Sequence, residues 1–318
     1  MKSLFRDYKN TIGYAKIGGI GDSIQALFLS KALKRKYPDS CLSFYTRDKI
    51  PLLHRATHID LLVNTGYCNW NKVSKEEGSR YDIFFDDRYI VGRYTKNKFK
   101  VLGGDKEEYL TFWTYLNNLE DSVLNISAKN LGIELKESDF DLSYLIQNNK
   151  IERITKRPYI LIHDGHDKLR ATKSYNKWSE VVELIRTNYD IDIFQIGLKD
   201  EPKIERTTDL RGLLNLEELC SMVRGAKLVL TQEGLLGHLC KGFNTKAIVL
   251  FGSTPVKCFG YDSNINIQAE GDCKECWYQT MNWYKHCPKK IPKEVPYCEL
   301  LRNILPERIF KEVSTILV

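Results

Sequence analysis

Apolar residues along the chain fall into two alternating rhythms. Short runs rich in β-branched and aromatic side chains are followed by longer stretches whose apolar positions recur every three or four residues. The first rhythm predicts strands and the second helices, and their regular alternation predicts βαβ units on parallel sheets. Thr11 to Ile17 reads as an opening strand, Gly18-Gly19-Ile20-Gly21 as a tight turn, and Ser23 to Lys36 as a helix. That helix carries Ile24, Leu27, Phe28 and Ala32 on one face, ends at Tyr37-Pro38 and places Asp22 at its cap. Leu42 to Tyr45, Asp60 to Val63 and Tyr81 to Phe85 are further predicted strands, while Glu107 to Leu119 and Val123 to Leu131 read as helices.

Between Ser143 and Pro158 the apolar period fades into Gln147-Asn148-Asn149-Lys150, a polar stretch suited to an interdomain connection. A second series follows: a strand at Tyr159 to His163, a helix at Lys177 to Tyr189 capped by Asn176, and a strand at Ile191 to Ile196 closed by Gly197. Asn215 and Glu218 have capping-box spacing before a helix at Leu216 to Ala226. Strands at Leu228 to Thr231 and Ala247 to Phe251 complete the series. A length of 318 residues suits two such domains better than one core.

Composition narrows the classes. With 42% hydrophobic and 28% charged residues the chain is that of a folded protein and not a disordered one. It shows no leader-like apolar core and no run of about 18 apolar residues. A cytoplasmic location is therefore expected, and there nine cysteines serve better as thiols or metal ligands than as disulfides. The net charge of +7 is dispersed, which fits a solvated surface or a face for an anionic lipid or acceptor. No aromatic-plus-basic motif accompanies it, so no nucleic acid partner is expected.

Three strand-to-helix turns carry candidate chemistry. Around Gly18, Gly19, Gly21 and Asp22, glycines allow close backbone approach and free helix-start amides favour anions. The spacing is neither a P-loop nor a dinucleotide fingerprint. Asp22 reads as a helix cap or as a general base. In the segment from His163 to Lys173, Arg170 and Lys173 could grip a diphosphate or lie in solvent. In the segment from Leu230 to Leu239, Glu233 could accept hydrogen bonds from sugar hydroxyls, Gly234 opens a helix start, and His238 suits a packed, hydrogen-bonded position. Separately, Cys273, Cys276, Cys287 and Cys298 lie within 26 positions, a spacing open to a structural zinc or iron ion or to free thiols and disulfides. Trp277, Tyr278, Trp283 and Tyr284 are interleaved with them.

Gly19-Ile20-Gly21-Asp22-Ser23 ahead of the helix ending Lys36-Tyr37-Pro38 resembles the amino-terminal signature of glycosyltransferase family 9, the ADP-heptose:lipopolysaccharide heptosyltransferases. Asp209-Leu210-Arg211-Gly212, Leu216 to Leu219, Ala226 to Thr231, His238-Leu239 and Val249 to Gly252 resemble its carboxy-terminal signature in order and spacing. The resemblance implies an α/β GT-B fold, two Rossmann-like domains facing a central cleft. Residues 1–148 would form the acceptor side and 149–305 the nucleotide-sugar-binding domain with its four-cysteine element at 273–298, and a helix at 306–318 would pack back on the first domain. It implies inverting transfer of a heptose or related sugar from a nucleotide-diphosphate donor, ADP-heptose first among them, to a lipopolysaccharide or other glycan or glycolipid acceptor. Asp22 would be the base and Lys173 the residue on the diphosphate, while Gly19, Gly21, Thr172, Glu201, Glu233, Gly234 and His238 would line the donor site. Asp200 could replace Glu201 on the ribose. No catalytic metal is then required, and the cysteine element is expected to be structural. Peripheral association with the inner membrane would bring the enzyme to its acceptor. The chain departs from the family at Glu233-Gly234-Leu235, where Asp-Ser/Thr-Gly is usual, and this bears on the donor sugar. A protein or nucleic-acid acceptor, a non-catalytic GT-B-like binding protein and a zinc-stabilised nucleic-acid module are the alternative readings.

Overall fold

The computed structural model describes residues 10–16, 18–46, 50–66, 76–87, 92–95, 98–100, 121–147, 155–165, 171–273, 276–277, 283–290 and 295–317. The described residues up to 145 form one compact unit and those from 146 onward a second. The division lies close to the polar stretch at 147–150, where no apolar periodicity ties the chain to either core.

In the first unit β1 (Asn10–Lys16), β2 (Ser40–Thr46), β3 (Leu61–Asn64) and β4 (Ile83–Asp86) run parallel. β5 (Gly92–Thr95) and β6 (Lys98–Lys100) follow as an antiparallel extension, giving the order β3-β2-β1-β4-β5-β6. Helix α1 (Ile20–Lys36) buries Ile24, Leu27, Phe28 and Ala32, the predicted face, and beyond it every residue from Ser23 to Ser30 and Leu33, so it is enclosed on all sides along its first half. Helix α2 (Val123–Asn130) starts at Ser122, whose hydroxyl accepts the Asn125 N–H at 3.0 Å. Because β2 and β3 extend to one side of β1 and β4 to the other, the sheet reverses direction at the carboxyl ends of β1 and β4. Ligands of open α/β sheets bind at such a reversal, where loops from adjacent strands diverge to opposite faces.

The second unit repeats the plan more fully. β7 (Tyr159–Ile162), β8 (Asp192–Gln195), β9 (Thr208–Asp209), β10 (Leu228–Gln232), β11 (Ala247–Phe251) and β12 (Ile265–Gln268) are all parallel, in the order β9-β8-β7-β10-β11-β12. Its reversal point lies between β7 and β10. Helices α3 (Trp178–Asn188), α4 (Leu216–Gly225) and α5 (Leu235–Phe243) cover the sheet, followed by the short α6 (Val256–Phe259) and α7 (Glu299–Asn303). The capping box is present: Asn215 Oδ1 accepts from Glu218 N and Glu218 Oε2 from Asn215 N, both at 3.0 Å.

Several expectations are adjusted. Lys177, not Asn176, precedes α3, and it makes no side-chain cap. The expected helix from Glu107 to Leu119 lies outside the described residues. β12 escaped the period argument because edge position lets it carry Asn266 and Gln268; the latter accepts the Val256 N–H at 3.0 Å. The terminal helix α8 (Pro306–Leu317) sets Ile309 and Val313 into the second core beside Trp178 and Val182. Its apolar stripe matches the stripe that α3 leaves open, and burial of that stripe holds it there.

Ile309→Ala removes a fully buried side chain from this core and should destabilise the second unit by about 2–5 kcal/mol, whereas the exposed Leu213→Ala should change little. Denaturant midpoints of the two variants provide the check; equal midpoints would refute the placement of α8.

Candidate active site

At the reversal point of the second unit, two loops bring opposite charges together. β7 continues through His163, whose N–H donates to the Leu230 carbonyl at 3.0 Å, and the chain returns through a single helical turn at Ala171–Lys173. β10 ends in Gln232 and Glu233, with the Glu233 N–H on the Leu250 carbonyl at 3.0 Å. Lys173 Nζ donates to Glu233 Oε2, and the two side chains are only 15% and 8% exposed. Thr254 Oγ1 donates to the same oxygen at 3.1 Å. Burial alone would raise the Glu233 pKa, but the Lys173 charge and hydrogen bond, the nearby His238 and the Thr254 hydroxyl outweigh it and leave it lowered. The pair is largely withdrawn from water, and Glu233 stands at the start of α5, where free amides favour an anion.

The other residues expected to line a donor site have definite partners. His238 Nδ1 lies 2.8 Å from Tyr261 Oη, with the rings edge to face, so it is the packed residue its helix position suggests. Gly234, at φ +157°, turns β10 into α5 in a conformation that favours glycine. Glu201 is 6% exposed, and its Oε2 lies 3.4 Å from His163 Nε2. The carboxylate presses against Gly197 at φ +140°, where a Cβ would strike it. Thr172 is buried, and its N–H and Oγ1 both donate to the Tyr284 carbonyl, at 3.3 and 3.2 Å. Its hydroxyl thus anchors the turn carrying Lys173.

The least legible residue in the sequence is Asp164, the hub of this site. Its Oδ1 accepts from Tyr175 N at 2.9 Å and Gln232 Nε2 at 3.0 Å, and its Oδ2 accepts from Ser174 Oγ at 3.0 Å. It therefore ties the end of β7 to the end of β10 and to the residues after Lys173. The only sequence signal is an acid directly after an apolar strand.

In the first unit, Asp22 sits in the opening turn of α1, where its Oδ2 accepts the Gly19 N–H at 2.9 Å. A Cβ at Gly18 would collide with the Asp22 carboxylate, so glycine is required for that approach. Gly19 is the cap residue of α1 and Gly21 lies in its first turn. Beside them at the reversal point is a buried cluster missed by pattern analysis. Asp87 Oδ2 accepts from Tyr14 Oη at 2.9 Å and Lys16 Nζ at 3.1 Å, while Oδ1 accepts from Ser127 Oγ at 2.8 Å. Burial, and then Asp87 and Asp22, push the Tyr14 pKa well up, so its phenol stays protonated and donates.

The four cysteines all fall in the second unit, close enough to feel one another's charge. Burial and then Cys298, Cys287 and Cys273 push the Cys276 thiol up to about 12, and Cys273 and Cys298 are raised too, burial being the first cause in each. Four soft sulfurs are the right donors for zinc or iron. In this arrangement, however, no three His, Cys, Asp or Glu among the described residues converge as a metal-ligand set. The chemistry of the donors fits and the geometry is open.

With this geometry established, three comparisons place the chain. A family model described as glycosyltransferase family 9 (heptosyltransferase) matches residues 105–282, more than half the chain, spanning Lys173, Glu201, Glu233 and His238. No curated protein sequence matches. Solved structures share the fold: a family 9 glycosyl transferase from Veillonella parvula DSM 2008 (13% identity, 98% of each chain, TM-score 0.61); the ADP-heptose LPS heptosyltransferase II of E. coli (14% identity, 96% of this chain and 98% of that chain, TM-score 0.58); and the dodecameric iron-containing heptosyltransferase TibC, from enterotoxigenic E. coli H10407, in complex with ADP-D-beta-D-heptose (12% identity, 97% of this chain and 76% of that chain, TM-score 0.66). The α/β fold with two parallel sheets is of the GT-B class.

Glu233→Gln would leave the Lys173 ammonium buried without its counter-ion and should destabilise the second unit by about 3–5 kcal/mol. Since the Glu233 pKa is lowered, the stabilisation is fully present above the ordinary glutamate value of about 4.3 and is lost as pH falls below it. Urea titrations of wild type and variant from pH 3 to 8 should show a constant gap above pH 5 that narrows in acid; a gap independent of pH would overturn the assignment.

Proposed function

Because this chain belongs to glycosyltransferase family 9, the family of the heptosyltransferases, it is a glycosyltransferase, and we propose that it transfers a heptose or related sugar with inversion from a nucleotide-diphosphate donor. The observation that carries this reading is the buried Lys173–Glu233 pair at the reversal point of the second sheet. An incoming diphosphate competes with Glu233 for the ammonium, and the carboxylate so released can accept hydrogen bonds from sugar hydroxyls. We take ADP-heptose as the first donor to test, since TibC is known in complex with ADP-D-beta-D-heptose.

In the proposed reaction an acceptor hydroxyl oxygen attacks the anomeric carbon, its proton passes to Asp22, and the bond from that carbon to the diphosphate oxygen breaks. Positioned proton transfer contributes typically about 10²- to 10⁴-fold. The nucleoside diphosphate leaves with its electron pair, and Lys173 neutralises the charge that grows on it. Glu201 is assigned to the ribose, and the helix-start amides after Gly234 to the phosphates. The acceptor is proposed to be a lipopolysaccharide or other surface glycan, met in the cytoplasm at the inner face of the membrane. The net charge of +7 supports contact with an anionic acceptor. No helix among the described residues is long and apolar enough to cross a membrane. The four thiols are proposed to hold a structural zinc or iron ion, on the strength of their soft sulfur donors and their spacing in the chain.

A donor screen across ADP-heptose and common UDP-, GDP- and CDP-sugars, read as nucleoside diphosphate release, is expected to find one productive donor. With that donor, Asp22→Asn should lower kcat by roughly 10²- to 10⁴-fold with little change in donor Kd; unchanged turnover would eliminate Asp22 as the base. Elemental analysis of purified protein should find about one zinc or iron per chain, reduced in Cys276→Ser, and metal-free protein would remove the proposed ion.

A further inference from the structure

The loops that present Lys173 and Glu233 are both fastened to one distant stretch of chain, the cysteine-bearing element from Cys273 to Cys298. On the lysine side, Tyr284 offers its carbonyl to both the N–H and the hydroxyl of Thr172, the residue immediately before Lys173. The neighbouring Trp283 places its ring against the lysine, with Nζ 5.6 Å from the ring centroid. Trp283 is 6% exposed and packs edge to face on Tyr284, so the ring has little freedom to leave.

On the glutamate side, the Trp277 N–H donates to the Ser253 carbonyl at 2.9 Å. Ser253 is followed by Thr254, whose hydroxyl is hydrogen-bonded to Glu233 Oε2. Trp277 is wedged edge to face against Phe259 at 4.9 Å, and Cys276 precedes it in the chain. At the far end of the element, Cys298 packs against Gly252, where an added Cβ would lie 3.2 Å from its sulfur. Residues of this element therefore touch the lysine directly, through Trp283, and approach the glutamate through Ser253, the neighbour of Thr254.

We propose that Trp277, Trp283 and Tyr284 form a positioning wall of the donor site: Trp283 and the Tyr284 carbonyl set where the Lys173 ammonium lies, and Trp277 sets the Thr254 hydroxyl that holds Glu233. The proposal rests on the reading that this pair receives the donor diphosphate. When the diphosphate draws the ammonium away from Glu233, the Trp283 face and the anchored Thr172 limit its travel. The cation then meets the phosphate without searching many rotamers, a gain shared by bound donor and transition state, so it is read in binding and KM rather than in kcat. Trp283 and Thr172 are therefore positioning residues.

The test uses the full-length chain in three variants, with binding of ADP, UDP, GDP and CDP and steady-state transfer measured for each. Thr172→Val keeps the shape and removes one hydrogen bond to Tyr284. Trp283→Leu removes the ring, and Trp283→Phe restores a smaller one. Thr172→Val and Trp283→Leu should each weaken nucleoside diphosphate binding and raise donor KM by about five- to tenfold, with kcat within about twofold. Trp283→Phe should recover most of that loss, which a general loss of folding would not permit. Wild-type affinity in both Thr172→Val and Trp283→Leu overturns the proposal while leaving the donor site assignment intact. A fall in kcat with KM unchanged also overturns it. A wild-type chain that binds none of ADP, UDP, GDP and CDP overturns the donor reading and this proposal together.

Discussion

A buried lysine facing a buried carboxylate is tolerated only where the surrounding structure holds both in place, because removing either charge from water is unfavourable. The Lys173–Glu233 pair meets that condition through β7 and β10. The adjacent parallel strands fix the loops, Asp164 locks those loops together, and Thr254 completes the shell around Glu233. An anion that displaces Glu233 from Lys173 finds the desolvation of the ammonium already accomplished.

The first unit solves the same problem in the same place. Lys16 ends β1 and Asp87 follows β4, so this lysine–acid pair also sits where the sheet reverses. There the carboxylate is saturated by Tyr14, Lys16 and Ser127 and is wholly buried, which suits scaffolding, whereas Asp22 in the adjoining turn remains partly exposed. Two sheets with the same strand order therefore place a lysine–carboxylate pair at each reversal point, wholly buried in the first unit and partly buried in the second. The pair in the second unit lies beside the start of α5; the one in the first lies beside the turn that carries Asp22.

Much of this was legible along the chain. Alternating periods located most of the parallel strands, and the turns at Gly18 to Asp22, at Lys173 and at Glu233 to His238 stood out because glycine and charge sit between a strand and a helix. Asn215 and Glu218 announced their own capping box, since both partners lie within one turn. What was hidden required partners distant in sequence. Asp164 joins residues up to 68 positions away, Asp87 joins residues up to 73 positions away, and Thr172 finds Tyr284 across 112. That the terminal helix gives Ile309 and Val313 to the second core was also hidden, because an amphipathic stripe declares that it must be covered and not by what.

The sequence by itself determined the alternation of strands and helices, the two-domain division, the four-cysteine element and a glycosyltransferase reading through ordered motifs. These are local properties: propensity, period and residue order do not depend on which strand lies beside which. Tertiary structure alone decided that Lys173 faces Glu233, that His238 is held by Tyr261, and that Trp283 and Tyr284 stand behind the lysine. Pairings of that kind follow from strand order and from loops converging at the carboxyl ends of a sheet, and no window of neighbouring residues encodes that convergence.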